Sequence, residues 1–534
     1  MNFHTSHMEN EPFYSVPTDG DAVQQALPNT LIQIQPGLER AFRAKLQESP
    51  YCDLRCGCEV IAREATGSGI VATYRTQDNV CKGITGQWLV GADGKRGVVR
   101  KHFLEDAAGI RQVNGSYQYD GTWIAANLKI TLPTPSSHPE LPLWPLGYTP
   151  EDVFDLFWPK GWHFCSPPGK ATAGGRFGPY KERLWRHEFE QGNWDDSMDA
   201  EKLLWEQLEI MFTRQRDGRY QPLPFGTVSF PKDCIEILRC HQFRFTHKVV
   251  NKWFHDRIIL IGDAAHVFPP FGGQGIACGL RDAHQLAWRL FLLTRLPSVD
   301  RPLGDTLLAT WERERTWGVK EAATITKING QLCNEGNTYS FWIFRLVKWI
   351  SQQLPFIPSE PDLFLKWEQR GYRSVDGFHL KQYGGGGKIA QVYVDSDGDG
   401  PMLSDQLIAH TSIVTLLVIS NIPQDLILQA KEVIQSFNFP KQIINDQCIR
   451  AFSSSRPPDV EIATETCFPT PIPDIGEDVR EGYNESNFIE RLLPNACFVL
   501  VRPDFYIFAQ ARTTEELVAS LQKLKEIFIL QVSD

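Results

Sequence analysis

At 534 residues the chain is too long for a single core, and about 150 residues per domain predicts roughly two to four domains. Its 54 Lys and Arg against 64 Asp and Glu leave a net charge of −10, the wrong sign for a broad nucleic-acid surface. Hydrophobic residues at 42% and charged residues at 22% exclude a disordered chain, and no stretch nears the roughly 18 consecutive apolar residues of a membrane span.

Residues 1–30 are polar and rich in turn formers, which predicts an irregular N-terminal segment. They lack the basic-then-apolar pattern of a secretion signal, so a cytoplasmic location is expected. A helix is predicted over 31–46, with Pro36 at its start and Leu38, Phe42 and Leu46 on one face. Residues 58–76 alternate as two strands around Gly67-Ser68-Gly69, and a further strand is expected over 87–94. From 115 to 248 the text is strand-like and aromatic, with runs at 123–128, 162–165 and 184–189 punctuated by Pro and Gly. The apolar strand 257–261 leads through a Pro/Gly-rich loop into a helix reaching Leu290, and a second helix is expected over 307–328. Four glycines within 382–388 predict a linker. The tail, 389–534, alternates strand (416–420), helix (425–437), strand (496–510) and helix (514–528), which predicts a small α/β domain.

The chemistry concentrates in Arg257–Leu290, RIILIGDAAHVFPPFGGQGIACGLRDAHQLAWRL. An acidic residue at a strand's carboxyl end, then glycines, then a helix start is a ligand-binding arrangement, because the first helical N–H groups are unpaired and the helix dipole favours negative charge. Asp263 can accept hydrogen bonds from ligand hydroxyls, and Gly272, Gly273 and Gly275 allow close backbone approach to a flat ligand. The string resembles, nearly position for position, the second flavin motif of FAD-dependent aromatic-ring monooxygenases of the phenol hydroxylase and 3-(3-hydroxyphenyl)propionate hydroxylase type. The resemblance implies that Asp263 binds the ribityl chain and that the amides around Gly275, Ile276 and Ala277, after Gly273, face the pyrimidine end of the flavin. It also implies that the Pro270 carbonyl lines the space where substrate meets flavin. His266 in this loop has two readings, ordering the backbone by hydrogen bonds or transferring a proton.

Two other segments are similar to the same family, in the same order. Val90–Lys101 looks like its Asp-Gly motif, associated through Asp93 with FAD and NAD(P)H, but carries Gly97 where serine is usual. Gln35-Pro36-Gly37-Leu38-Glu39 looks like its Q-P-x-L-E segment, whose glutamine contacts FAD. The family's strand, G-x-G-x-x-G and helix unit does not precede Gln35, so in family terms the FAD domain is expected to be truncated. That omission is expected to leave 258–261 without a neighbouring strand. Gly67-Ser68-Gly69 is no substitute, since strands flank it on both sides.

The resemblance implies an α/β fold, α+β overall. It comprises an incomplete Rossmann-like FAD domain in two parts, 31–114 and 249–381, an inserted β-rich substrate domain over 115–248, and a thioredoxin-like C-terminal domain over 389–534. The last has no C-x-x-C pair and is expected to serve packing or association. The implied activity is NAD(P)H- and O2-dependent hydroxylation of a phenolic substrate through a flavin hydroperoxide, with homodimer formation compatible. The alternatives are a flavin oxidase or reductase on the same scaffold and a remnant that does not retain FAD and acts through association. No metal site is expected: Asp395–Gly400 copies only half a calcium loop, and Cys52, Cys56 and Cys58 lack a fourth ligand at zinc spacing.

Overall fold

A computed structural model describes residues 1–15, 25–27, 34–67, 69–166, 170–296, 301–334, 370–395, 400–408, 412–421, 423–453, 466–471 and 483–529, together with 342–343, 346–347, 349–350 and 354. The centre of the calcium-like sequence, 396–399, lies outside the described residues.

The β-rich region forms a seven-stranded sheet in the order Ile235–Thr246, Asp120–Ile130, Leu184–Glu190, Thr172–Phe177, Trp162–Cys165, Asn2–Phe3 and Tyr14–Ser15. Helices Pro150–Phe157 and Ala200–Met211 supply apolar side chains to its core. Thr149 and Asp152 start the first of these with a reciprocal capping box, and Asp199 caps the second. The N-terminal segment, expected to be irregular, is part of this sheet. Asn2–Phe3 runs parallel to Trp162–Cys165, and the buried Phe3 ring stacks on Phe164 with centroids 4.9 Å apart. Two residues are too short a strand to show a period, so the sequence carries no signal for it.

The flavin-motif region is built on a small sheet in the order Phe254–His255, Ile258–Leu260, Leu89–Gly91. Ile258–Leu260 is paired on both sides, antiparallel to Phe254–His255 and parallel to Leu89–Gly91. The expectation that 258–261 lacks a neighbour is therefore corrected. Among the described residues the edge strands are Phe254–His255 and Leu89–Gly91, and Val90 in the latter is exposed. Helices Gln274–Arg295 and Arg301–Asn334 pack against the sheet, and Ile258, Leu260, Leu286, Leu307 and Trp311 share one core. The hairpin expected around Gly67–Gly69 forms between Glu59–Ala65 and Ile70–Arg75, with Cys81–Gly86 as a third strand. The Gln35–Glu48 helix buries no residue, and its Phe42 and Leu46 are exposed.

In the C-terminal region, Thr415–Ile419, helix Gln424–Phe437 and Ile449–Phe452 make a parallel βαβ unit, followed by Phe498–Val501, Ile507–Ala511 and helix Thr514–Ile529. The single strand expected over 496–510 is thus two antiparallel strands, turned at Phe505 with φ 66°. The glycine run is also not a loose linker. Gly385, Gly386 and Gly387 are buried, and a Cβ on Gly385 would lie 2.2 Å from the Phe508 carbonyl. Gly386 N donates to Ile507 O at 2.8 Å and Ile507 N donates to Gly387 O at 2.8 Å. Glycine serves here for close backbone approach rather than for freedom. Ile413, Leu416 and Leu521 consequently belong to the same apolar core as Ile258 and Leu307.

Candidate functional site

The strand Ile258–Leu260 ends in a tight turn, Gly262–Ala264, that leaves Asp263 exposed. Gly262 has φ 57° and meets Gly279 of the following helix, whose Cβ would lie 3.4 Å from the Gly262 Cα. The helix is therefore seated directly over the strand end. Its N-cap, Gly273, is left-handed with φ 61°, supplies no side-chain cap, and no acidic residue occupies the first turn. A Cβ at Gly273 or Gly275 would meet nothing within 4 Å, and Ile276 is 52% exposed. A 22-residue helix thus presents uncapped N–H groups of Gly275, Ile276 and Ala277 to open space beside an exposed carboxylate. That donor set fits an anionic, flat ligand with hydroxyls, as FAD is.

Behind this surface the loop is held by buried charge. Asp282 Oδ2 accepts from Gly262 N at 2.9 Å and lies 2.7 Å from His266 Nε2, while Asp282 Oδ1 accepts from Arg315 Nε at 2.7 Å. Burial alone would raise the Asp282 carboxyl, but Arg315 and the His266 hydrogen bond hold it below its ordinary value. His266 is wholly buried, which fits backbone ordering and leaves it no contact with a ligand in the open space.

The other expected residues are placed as follows. Asp93 is exposed after Leu89–Gly91 and accepts from Val99 N at 2.9 Å, capping the helical turn that follows. A Cβ on Gly97 would sit 2.1 Å from Asp93 Oδ1, so serine at that position is incompatible with this conformation of Asp93. Gln35 is exposed as the first residue of its helix. The Pro270 carbonyl accepts from Gly272 N at 2.7 Å and Gly273 N at 3.2 Å. These two bonds fix the carbonyl within its own loop.

Sequence reasoning missed the polar and aromatic group on the far side of that loop. The buried Phe271 ring meets Trp123 edge-on at 5.2 Å and Tyr119 edge-on at 5.6 Å. Trp123 Nε1 donates to Tyr119 Oη at 2.7 Å. A Cβ on Gly121 would lie 2.8 Å from Tyr119 Oη and 3.3 Å from Glu190 Oε1, so both oxygens converge on the gap that this glycine leaves. Burial raises the Tyr119 hydroxyl and the half-buried Glu190 carboxyl above their ordinary values. Tyr117 stacks on His247 at 4.5 Å, and its buried hydroxyl has no partner among the described residues.

Residues 3–324 match the family described as FAD binding domain. The chain belongs to the FAD binding domain family. Among similar proteins, a probable NADH-specific resorcinol 4-hydroxylase of Rhodococcus jostii (strain RHA1) is 25% identical over 289 residues, 54% of this chain and 44% of that one. A 3-(3-hydroxy-phenyl)propionate/3-hydroxycinnamic acid hydroxylase of Burkholderia cenocepacia (strain HI2424) is 25% identical over 282 residues, 52% of this chain and 41% of that one. The matched stretch therefore spans less than half of either relative. The structure of aklavinone-11 hydroxylase with FAD and aklavinone superposes with a TM-score of 0.60 at 16% identity, covering 98% of this chain and 84% of that chain, and so shares the fold. The matched residues include both the Asp263 strand end and the Gln274–Arg295 helix. No helix among the described residues is long and apolar enough to cross a membrane.

Proposed function

We propose that this protein is an FAD-dependent monooxygenase that hydroxylates a phenolic ring, with NAD(P)H as reductant and O2 as co-substrate. The observation that carries the reading is the uncapped helix N-terminus at Gly273–Ala277 beside the exposed Asp263, adjoining an aromatic group with two convergent oxygens. An association module would need neither the open space at Gly273 and Gly275 nor a charge network behind it, and the similar hydroxylases point the same way.

In this reading Asp263 accepts from ribityl hydroxyls, and Asp93 and Gln35 contribute further cofactor contacts. The amides of Gly275, Ile276 and Ala277 stabilise negative charge at the pyrimidine end of the ring. When bound, FAD supplies electron transfer from NAD(P)H and activation of oxygen. The chain's own residues orient the substrate. Phe271 and Trp123 pack against the phenolic ring and keep water out, and the Tyr119 hydroxyl hydrogen-bonds the substrate oxygen. Glu190, whose carboxyl is raised by burial and so is a stronger base than a solvated one, takes the phenolic proton and enriches the ring in electrons. We assign the substrate role to 1–15 with 115–248, and a thioredoxin-like packing role to the βαβ and ββα arrangement of the C-terminal region.

The test is visible absorption of the purified chain after incubation with FAD and desalting, followed by NADH oxidation with phenols and identification of product. About one flavin per chain, lost in Asp263→Ala, and a hydroxylated product are expected. Flavin retention unchanged in Asp263→Ala would overturn the assignment of that residue, and peroxide without hydroxylated product would leave an oxidase.

A further inference from the structure

A second cluster of chemistry-bearing side chains lies at the opposite end of the seven-stranded sheet. Ile130 ends one strand and pairs with Ile235, which begins the edge strand. The segments flanking that pair are therefore brought together, and Thr131 N donates to Cys234 O at 2.9 Å. His138 belongs to the connection leaving the first strand, and Asp233 and Cys234 close the turn Lys232–Cys234 entering the second. His138 Nε2 lies 3.2 Å from both carboxylate oxygens of Asp233 and 3.8 Å from Cys234 Sγ. All three donor atoms fall within 4.8 Å of one another.

The imidazole is held from behind. Ser137 Oγ is 2.9 Å from His138 Nδ1, and Ser137 is itself fixed, since Ser137 N donates to Thr134 Oγ1 at 3.1 Å and Thr134 N donates to Ser137 Oγ at 3.0 Å. The His138 carbonyl accepts from Trp144 Nε1 at 2.7 Å. Nδ1 is thus engaged by a neighbour, leaving Nε2 turned toward the carboxylate and the thiol. This is how a metal-binding histidine is oriented by the group behind it.

We propose that His138, Asp233 and Cys234 bind a zinc ion, with water as fourth ligand, clamping the connection after Ile130 onto the start of the edge strand. Tetrahedral bonds of about 2.0–2.3 Å place donors roughly 3.3–3.6 Å apart, within a few tenths of an ångström of the two spacings from His138 Nε2, and the third pair, within 4.8 Å, closes by a rotation of the exposed Asp233 side chain. One nitrogen, one sulfur and a single carboxylate select a borderline-soft ion over Mg2+ or Ca2+, which prefer oxygen. The Asp233 side chain is 76% exposed while Cys234 is buried, so the sulfur closes the inner side and solvent reaches the outer one. Binding displaces the Cys234 thiol proton to water as the Zn–S bond forms. The edge strand has 12 residues, which puts the cluster on the order of 35 Å from the Thr246 end that adjoins the flavin-motif loop. The site is therefore separate from the flavin region.

The test uses the full chain in a background of Cys52→Ser, Cys56→Ser, Cys58→Ser, Cys81→Ser and Cys497→Ser, which removes the three exposed and two half-buried thiols. After chelator treatment it is titrated with Co2+. One equivalent is expected to give a thiolate-to-cobalt charge-transfer band with the intense visible bands of four-coordinate cobalt, both bleached by Zn2+. Cys234→Ser should abolish the charge-transfer band, His138→Ala and Asp233→Asn should weaken binding at least tenfold, and Ser137→Ala should weaken it about tenfold. Flavin retention should be unaltered in all four. The Asp233 side chain is largely exposed, so Asp233→Asn tests the site even where Cys234→Ser perturbs folding. Absence of one-to-one binding, a weak six-coordinate spectrum, affinity unchanged in Asp233→Asn, or a charge-transfer band that survives Cys234→Ser would each overturn the proposal.

Discussion

Glu190 and Tyr119 show how two ordinary side chains acquire a use from their surroundings. Burial raises both groups, so the hydroxyl stays protonated as a donor while the carboxylate becomes a stronger base than a solvated one. If Glu190 accepts the phenolic proton, Glu190→Gln should lower kcat by about 10²-fold or more with flavin retention unchanged. The acid limb of the pH profile should also disappear in that variant. The sign follows from the shift: activity rises as pH passes upward through the raised carboxyl value, so the wild-type limb should lie above the ordinary glutamate value of 4.5. A limb that persists in Glu190→Gln would assign it elsewhere. Neither residue was legible in the sequence, because Glu190 is brought near Tyr119 by pairing with Trp123 across the sheet, and no spacing announces such a pairing. The same holds for His138 and Asp233, 95 positions apart. Asp263 and Gly273–Ala277 were legible because strand, turn and helix start are contiguous in the chain.

Helices and strands with strong periodicity form close to where the sequence puts them, as Asp120–Ile130, Gln274–Arg295 and Gln424–Phe437 do. The exceptions have local causes. Asn2–Phe3 is too short to read, and the 496–510 run is bent by a turn at Phe505 that its apolar content conceals. The Leu184–Glu190 strand also carries a liability. His187 is wholly buried and neither of its ring nitrogens has a partner among the described residues. Burial pushes its pKa down from 6.5 to about 3. The folded value is depressed, so its contribution is complete above pH 6.5 and is lost as pH falls, because the unfolded chain takes up the proton first. One such group costs about 1.4 kcal/mol per pH unit, or roughly 3 kcal/mol by about pH 4.5. His187→Leu should flatten the acid limb of denaturant stability by one proton and raise stability at pH 5; an unchanged slope would show that the ring is protonated in the fold.

Across the whole molecule, the flavin-motif region and the C-terminal region are joined by one apolar core and by a sealed charge cluster. Arg502 Nη1 donates to Glu314 Oε1 at 2.6 Å, Arg289 Nη2 donates to Glu314 Oε2 at 2.8 Å, and Arg502 Nε donates to Asp504 Oδ1 at 2.9 Å. Trp288 lies against both guanidiniums and donates from Nε1 to Asp504 Oδ2 at 3.0 Å. Two cations and two anions balance, and all four charged side chains have 0% exposure. Removing one partner strands the others in low dielectric, so Arg502→Met should destabilise by about 3–5 kcal/mol. It should lower the unfolding midpoint of both regions together in a calorimetric scan. Independent transitions, with only the C-terminal one shifted, would show that the shared core does not couple them. A glycine run read as a linker gave no hint of this union, since Glu314 and Arg502 lie 188 positions apart. The cluster also bears on how the chain can diverge. No member can change sign or be neutralised alone without burying an unmatched charge, so Arg289, Glu314, Arg502 and Asp504 should drift only as a set. In a library randomised at these four codons, functional clones should carry either the parental quartet or joint apolar replacements, with few single-step paths between them.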